Sequence, residues 1–197
     1  MNKMNKIILK TAALTSVAII SLIIIVFSVF ALFFPIKISD LCFELGLNKG
    51  YVFFAEKAYE KDNSIDNLTT VWDRAVYADD YAAVNKYSKL LVKHEDFEKL
   101  NEVYSDKYIS FDYKAYIYAN YALSEYILNG IESALSIAES GYSPPYNEYN
   151  SFSGIIARCL EMKNSSDAGK IAGKLTEISE TDFKDEIEIL SKLTIDK

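Results

Sequence analysis

The chain has 197 residues, of which 50% are hydrophobic and 25% charged, and its formal net charge is −7. All 28 Asp and Glu lie from Asp40 onward, and residues 38–197 hold 17 Lys and Arg, so this part carries a charge of −11. An acidic surface repels phosphate groups, and we therefore expect no nucleic acid partner.

The first element expected along the chain is an uncharged apolar helix over residues 11–36, TAALTSVAIISLIIIVFSVFALFFPI. About 20 residues suffice to cross a bilayer core, and a cleaved signal peptide has an apolar core of only about 7–15. We therefore predict an uncleaved transmembrane signal anchor. The alternative is a buried helix of a soluble protein.

The distribution of lysines predicts the orientation of this anchor. Residues 1–10 contain Lys3, Lys6 and Lys10, whereas only Lys37 and Lys49 follow the apolar stretch closely. By the positive-inside rule, residues 1–10 are predicted to be cytoplasmic. Residues 38–197 are then the extracytoplasmic domain of a single-pass protein of the cell membrane.

Residues 38–197 are predicted to be all-helical, because Gly and Pro are scarce and apolar residues recur every three or four positions. Short turns between the predicted helices are typical of antiparallel helical hairpins. Asp66 is the expected N-cap of the helix that contains Trp72. The predicted helices are residues 38–45, 51–61, 67–78, 81–93, 95–105, 110 or 111 to 128, 131–140, 150–163, 165–178 and 182–193, with an irregular connector at 142–149.

Similar packing residues recur along this domain. Aligning the second helices of the pairs places Tyr51, Val84, Ala134 and Ala168 at one position, with separations of 33, 50 and 34 residues. Small or apolar residues occupy matching places in the segments 68–91, 118–138 and 152–175. They are Leu68, Val71, Trp72, Ala75, Tyr81 and Leu91 in the first, Tyr118, Tyr121, Ala122, Ala134 and Ala138 in the second, and Phe152, Ile155, Ile156, Cys159, Ala168 and Ala172 in the third.

The period and these residues resemble the tetratricopeptide repeat. The resemblance implies an α-solenoid over residues 38–197, and a non-repeating helical bundle is the alternative. The overall arrangement also resembles membrane-anchored proteins of low-GC bacteria, a resemblance that implies no activity. The groove positions of the repeat family fall on Thr69, Asp73, Val76, Tyr77 and Tyr116. Such a groove suits a peptide with basic and apolar groups.

Residues for catalysis or metal binding are scarce. His94 is the only histidine, it stands between two helices and beside two acidic residues, and no nucleophile-elbow, zinc-protease, P-loop or dinucleotide-binding pattern occurs. Cys42 and Cys159 fall at apolar helical positions, which favours two buried thiols over a disulfide. We expect no catalytic residue, no cofactor and no metal, and hence no enzyme.

These observations predict that the protein is a non-enzymatic, membrane-anchored scaffold or adaptor that binds a protein or peptide partner in an envelope assembly. The alternative is a glycan or cell-wall ligand receptor, since seven of the 15 tyrosines lie between Tyr104 and Tyr126. Exposed tyrosine rings would then serve as stacking platforms.

Overall fold

A computed structural model of the chain describes residues 3–105, 112–143 and 150–195, and every regular element in these ranges is helical. The predicted all-helical class is confirmed. By compactness the chain divides into two units, Met1–Asn63 and Ser64–Lys197. The expected boundary between residues 37 and 38 therefore lies inside the first unit.

The first unit begins with the long apolar helix α1 (Lys3–Phe33), followed by α2 (Pro35–Glu44) and α3 (Asn48–Lys61). The helix ends earlier than residue 36, because Phe34 leaves the helical region (φ −131°) and Pro35 starts α2 at its first turn. Proline suits that place because its missing N–H has no helical partner there anyway.

Helix α1 is apolar enough to span a membrane. Within its stretch Lys10–Phe33, an 18-residue window has a mean hydropathy of 2.9, and none of that window is buried within the chain. This exposure counts against the alternative of a buried helix in a soluble protein.

Helices α2 and α3 pack closely against each other. Gly50 was expected to precede a helix, but it lies within α3, where an added Cβ would come 2.8 Å from Cys42 Sγ. The Ser39 hydroxyl donates a hydrogen bond to the Tyr51 carbonyl across the same contact. Gly50 is thus required by a close approach of two helices.

The second unit contains the remaining helices. Helix α4 packs on α5, α5 on α7, α7 on both α8 and α9, α9 on α10, and α10 on α11. The predicted helix 95–105 is divided, because its first part is a 3-10 turn, Phe97–Lys99. The helices are α4 (Ile65–Tyr77), α5 (Tyr81–Leu91), α6 (Leu100–Ser105), α7 (Tyr113–Asn129), α8 (Ile131–Ser140), α9 (Ser153–Met162), α10 (Ser165–Ser179) and α11 (Lys184–Ile195).

Side-chain caps fix where several of these helices begin. Ser64 is the N-cap of α4, and its Oγ accepts a hydrogen bond from the Asn67 amide. The prediction of Asp66 as this cap is wrong, because Asp66 already lies in the first turn. Asp112 caps α7 through a 3.0 Å bond from the Ala115 amide. The helix that contains Tyr116 was predicted to begin at Ser110 or Phe111, and both lie outside the described residues. The same holds for residues 144–149 of the predicted connector.

The core of the second unit is dense with small and aromatic side chains. Ala134 and Ala138 of α8 are fully buried, so small residues do allow close helix packing there. Phe152 and Phe183 contact each other edge to face, with ring centroids 5.7 Å apart. These two rings belong to one continuous apolar cluster, which also contains buried side chains of α7, α8, α9, α10 and α11.

Candidate functional site

Helix α4 presents two different sides. Its buried stripe consists of Leu68, Val71, Trp72 and Ala75, spaced three and four residues apart, and all four are fully buried. This spacing places them on one face of a helix. Other positions of α4 are left open to solvent, and they include Asp73 and Tyr77.

Trp72 anchors α4 to two neighbouring helices. Its indole N–H donates a 2.8 Å hydrogen bond to the Ser88 hydroxyl on α5. The rings of Tyr113 and Tyr116 on α7 stand nearly perpendicular to it, at 6.0 and 5.5 Å between centroids. Edge-to-face contacts of this kind fix ring orientation. Trp72 therefore holds Tyr116 at a defined place beside α4.

Asp73 and Tyr116 come together at this place. Burial raises the pKa of the Tyr116 hydroxyl, and the negative charge of Asp73 raises it further. Burial also raises the pKa of Asp73, partly offset by the positive charge of Arg74. Asp73 is nevertheless exposed to solvent. The Asp73 carboxylate is therefore accessible to a bound cation as well as to water.

We call Asp73, Val76, Tyr77 and Tyr116 the α4–α7 surface. Tyr77 is 70% exposed and lies one helical turn after Asp73, whereas Val76 and Tyr116 are half-buried. The side-chain amide of Asn120 donates a 2.9 Å bond to the Tyr116 carbonyl beside them. Four of the five residues predicted for a groove thus retain accessible surface.

Thr69 does not belong to this surface. It is 1% exposed, and its hydroxyl donates to the backbone carbonyls of Ile65 and Asp66 at 2.9 and 3.0 Å. Its polar atom is therefore satisfied within its own helix. Thr69 is thus the one predicted groove residue whose side chain is buried in this structure.

Sequence reasoning missed a polar cluster between α5 and α7. Glu125 on α7 is buried and lies 3.0 Å from the Lys89 ammonium. Burial disfavours its charge, but hydrogen bonds from Asn85, Asn129 and Lys89 outweigh burial and lower its pKa. The signal available in the sequence was a charged residue at an otherwise apolar position of α7.

A second polar cluster joins α7 to α10. The Tyr126 hydroxyl donates a 2.7 Å bond to the Asp167 carboxylate, which also accepts a bond from the Asn164 side chain. Burial, followed by the bond to Asp167, raises the pKa of Tyr126 far above its ordinary value. A phenol held neutral in this way is a structural donor. This cluster links the side chains of α7 and α10.

Within the described ranges, no group of three or more His, Cys, Asp or Glu side chains is placed to hold a metal ion. His94 Nδ1 accepts a 3.1 Å bond from the Asp96 amide, which gives this histidine a local role in a turn. Cys42 and Cys159 are free and buried, and burial raises the pKa of both thiols. The prediction of two buried thiols is confirmed.

In comparisons with family models, curated proteins and solved structures, none matches this chain. Its interpretation therefore rests on its own residues and their geometry.

Proposed function

We propose that this chain is a membrane-anchored, non-enzymatic adaptor whose second unit binds a protein or peptide segment outside the cytoplasmic membrane. The observation that carries the proposal is the α4–α7 surface, where exposed Tyr77 stands one turn from the exposed carboxylate of Asp73. Tyrosine supplies large contact area at low entropic cost, and such residues are enriched at binding surfaces.

The chemistry of this surface favours a segment with basic and apolar side chains. A Lys or Arg of the partner would meet Asp73, and an apolar neighbour would pack on the rings of Tyr77 and Tyr116. The charge of −11 on residues 38–197 attracts basic segments over a longer range and raises their rate of encounter.

A tetratricopeptide-like solenoid is part of the proposal. Three successive helix pairs support it: α4 with α5, α7 with α8, and α9 with α10. Of the four aligned second-helix positions, Val84, Ala134 and Ala168 are buried, whereas Tyr51 is half-buried. The 3-10 turn and α6 are inserted between the first and second pairs and account for the separation of 50 residues.

Membrane attachment is assigned to α1. Its apolar stretch of 24 residues is about 36 Å long as a helix, enough to cross a core of about 30 Å. Lys3, Lys6 and Lys10 favour a cytoplasmic N-terminus, which leaves the second unit on the opposite side and makes this a single-pass protein of the cell membrane.

The rival function, a glycan receptor, would need several accessible aromatic rings. Among the tyrosines that the structure describes, Tyr77 is the one that is mainly exposed, whereas Tyr113, Tyr121 and Tyr126 are buried. One exposed ring is a poor platform for a polysaccharide. The tyrosine-rich helix α7 serves packing, and protein binding is the better-supported function.

The test uses the full chain in lipid nanodiscs, screened against a displayed library of random peptides. We expect enrichment of peptides that combine Lys or Arg with apolar residues. Changing Asp73 and Tyr77 together to Ala should weaken binding of an enriched peptide tenfold or more, about 1.4 kcal/mol. The same change should alter the free energy of unfolding by no more than about 1 kcal/mol, because both side chains are exposed.

The matched control is the double change Asp185→Ala with Ile189→Ala on α11, an exposed acid and an exposed apolar residue at the same four-residue spacing. Binding should survive it. Equal weakening by both double variants would contradict the assignment of the α4–α7 surface. Turnover of a substrate by the purified chain would contradict the non-enzymatic proposal.

A further inference from the structure

Helices α2 and α3 fold back along the C-terminal half of α1, and we call them together the α2–α3 hairpin. The rings of Phe54 on α3 and Phe27 on α1 meet edge to face, with centroids 6.3 Å apart. The Lys61 ammonium lies 5.8 Å from the centre of the Phe33 ring. Ile38 of α2 borders a shallow apolar groove together with Leu22, Ile23, Val26, Phe27 and Phe30 of α1.

These contacts fix which part of α1 lies beside the turn of the hairpin. Phe54 of α3 lies opposite Phe27. Farther along α3, Lys61 lies opposite Phe33, so α3 follows α1 in the same direction. The start of α3 at Asn48 is six residues before Phe54 and therefore lies beside about position 21 of α1. This position is in the middle of the apolar stretch of α1.

The hairpin is charged, whereas residues 11–36 carry no charge. Asp40, Glu44 and Lys49 lie on the two sides of the turn. Ionised side chains are costly in hydrocarbon, above all near the centre of a bilayer. If α1 spanned a bilayer in the packed arrangement, these three residues would lie near its midplane. A membrane-spanning α1 and a packed hairpin therefore exclude each other.

The contact between the hairpin and α1 is weak. Phe27 and Phe33 remain 45% and 59% exposed, although each contacts α3. One edge-to-face ring pair and one ammonium near an exposed ring contribute little compared with the cost of placing three charges in hydrocarbon. Entry of α1 into lipid therefore favours separation of the hairpin from α1.

The two helices of the hairpin, in contrast, hold each other closely. The Ser39 hydroxyl donates a hydrogen bond to the Tyr51 carbonyl. The rings of Phe43 and Tyr51 lie 4.9 Å apart between centroids. Gly50 allows the close approach of the helices at Cys42. We therefore expect α2 and α3 to move as one unit.

Phe34 is the residue about which this unit can turn. It lies between α1 and α2 with φ −131° and ψ 55°, outside the helical region. A residue that precedes a proline is disfavoured in the helical conformation, so Pro35 maintains the break between the two helices. Hinges are commonly a few residues at the ends of elements, where changes in φ and ψ redirect the chain.

We infer that the α2–α3 hairpin turns away from α1 at Phe34 when α1 spans the bilayer. The inference rests on the proposed membrane anchor. Turning places the charges of the hairpin in water and leaves the C-terminal half of α1 to the lipid. The packed arrangement is then confined to a chain whose α1 lies outside the bilayer. The hairpin is thus a switch with two positions, and the bilayer selects between them.

The experiment measures the separation of the hairpin from α1 with pairs of nitroxide spin labels, on the full chain diluted in phosphatidylcholine vesicles. The test pair is Ala31→Cys with Lys57→Cys, because both residues border one groove between α1 and α3. The control pair, Phe43→Cys with Tyr51→Cys, lies within the hairpin. A single label at Ile23→Cys reports the anchor itself. Both native cysteines are buried, so the parent chain gives the labelling background.

We expect dipolar broadening in the spectrum of the control pair, whereas the spectrum of the test pair should equal the sum of its two single labels. The label at Ile23 should be relaxed at least twofold more by oxygen, which concentrates in hydrocarbon, than by a water-soluble nickel chelate. Broadening of the test pair with the Ile23 label in lipid would refute the release of the hairpin and leave the anchor intact. Stronger relaxation of Ile23 by the chelate would refute the anchor itself.

A variant without the charges at the turn tests their role. It carries Asp40→Asn, Glu44→Gln and Lys49→Gln, which make the packed hairpin less costly in lipid. The broadened fraction of the test pair should therefore rise at least twofold above that of the parent chain. The control carries the same kinds of change at exposed positions of α11, and it should leave the spectrum unchanged. These changes are Asp185→Asn, Glu188→Gln and Lys192→Gln. No rise in the first variant, or an equal rise in both, would overturn the inference that charge drives the release.

Discussion

Trp72 is the residue that couples three helices of the second unit. It is fully buried, donates a hydrogen bond to Ser88 and contacts two tyrosine rings of α7. Its position on the apolar stripe of α4 could be predicted from sequence spacing. Its role in placing Tyr116 could not, because α7 is some forty residues away along the chain.

Truncation of Trp72 tests this coupling. Trp72→Ala should lower the free energy of unfolding by about 3–5 kcal/mol, because it leaves a cavity among packed rings. Chemical denaturation of the full chain in detergent, followed by circular dichroism, measures the loss. Tyr77→Ala, an exposed aromatic truncation on the same helix, is the control and should cost less than about 1 kcal/mol. Similar losses in both variants would show that Tyr77 is also a packing residue.

Glu125 gives a prediction about pH. Its folded-state pKa lies below the ordinary value of 4.5, so its ionised form stabilises the fold above that pH. This stabilisation disappears as the pH falls through the lowered pKa. Glu125→Gln should therefore lower stability at pH 7 by about 1–3 kcal/mol, and the difference from the parent chain should shrink as the pH is lowered below 4.5.

Denaturation curves of both chains across this pH range measure the difference. Glu188→Gln on α11 is the control: its carboxylate also pairs with a lysine, 2.7 Å from Lys192 Nζ, but the pair is exposed and contributes little. A Glu125→Gln effect that stays constant with pH would contradict a role for its charge.

At the scale of elements, the crossing of α7 and α9 depends on one glycine. A Cβ on Gly154 would lie 2.7 Å from the Ala119 carbonyl oxygen and 3.1 Å from the Leu123 side chain. Real Cβ atoms do not approach a backbone oxygen so closely. The two helices must therefore separate if any larger residue stands at position 154.

Gly154→Ala should consequently destabilise the second unit by about 1–3 kcal/mol through overpacking. Gly173→Ala is a matched control, since Gly173 lies within α10 with no neighbouring atom within 4 Å of an added Cβ. That change should stabilise the helix by about 0.5–1 kcal/mol. Thermal unfolding of the two variants should shift in opposite directions, and a shift in the same direction would contradict the proposed close crossing.

At the scale of the whole molecule, the proposed topology can be tested by labelling. In cells without an outer barrier, a membrane-impermeant thiol reagent should modify a cysteine placed at Lys197 and not one placed at Asn2, because the proposed topology, based on the lysine bias, has the N-terminus inside. Both positions lie outside the described residues. The buried native cysteines keep the background of the parent chain low. The reverse labelling pattern would make this a cytoplasmic adaptor.

The sequence by itself determined the helical class, the presence of one long apolar helix, whose end it placed at residue 36 instead of Phe33, and most of the other helix boundaries. These features depend on local spacing, on the break at Pro35 and on polar caps such as Asn164, which act within a few residues. The resemblance to the tetratricopeptide repeat also implied accessible positions at Asp73 and Tyr77.

Only the tertiary structure decided which of the polar residues are buried. Both Thr69 and Glu125 are buried polar residues, but their partners differ. The Thr69 hydroxyl donates a hydrogen bond within its own helix, whereas the Glu125 carboxylate pairs with Lys89 of a different helix. Likewise, the glycines at 50 and 154 are explained by contacts with Cys42 and Ala119 that no local pattern encodes. Which polar residues become buried, and which distant residues pair, depends on how the helices pack. Helix packing in turn depends on many contacts between residues far apart in the chain.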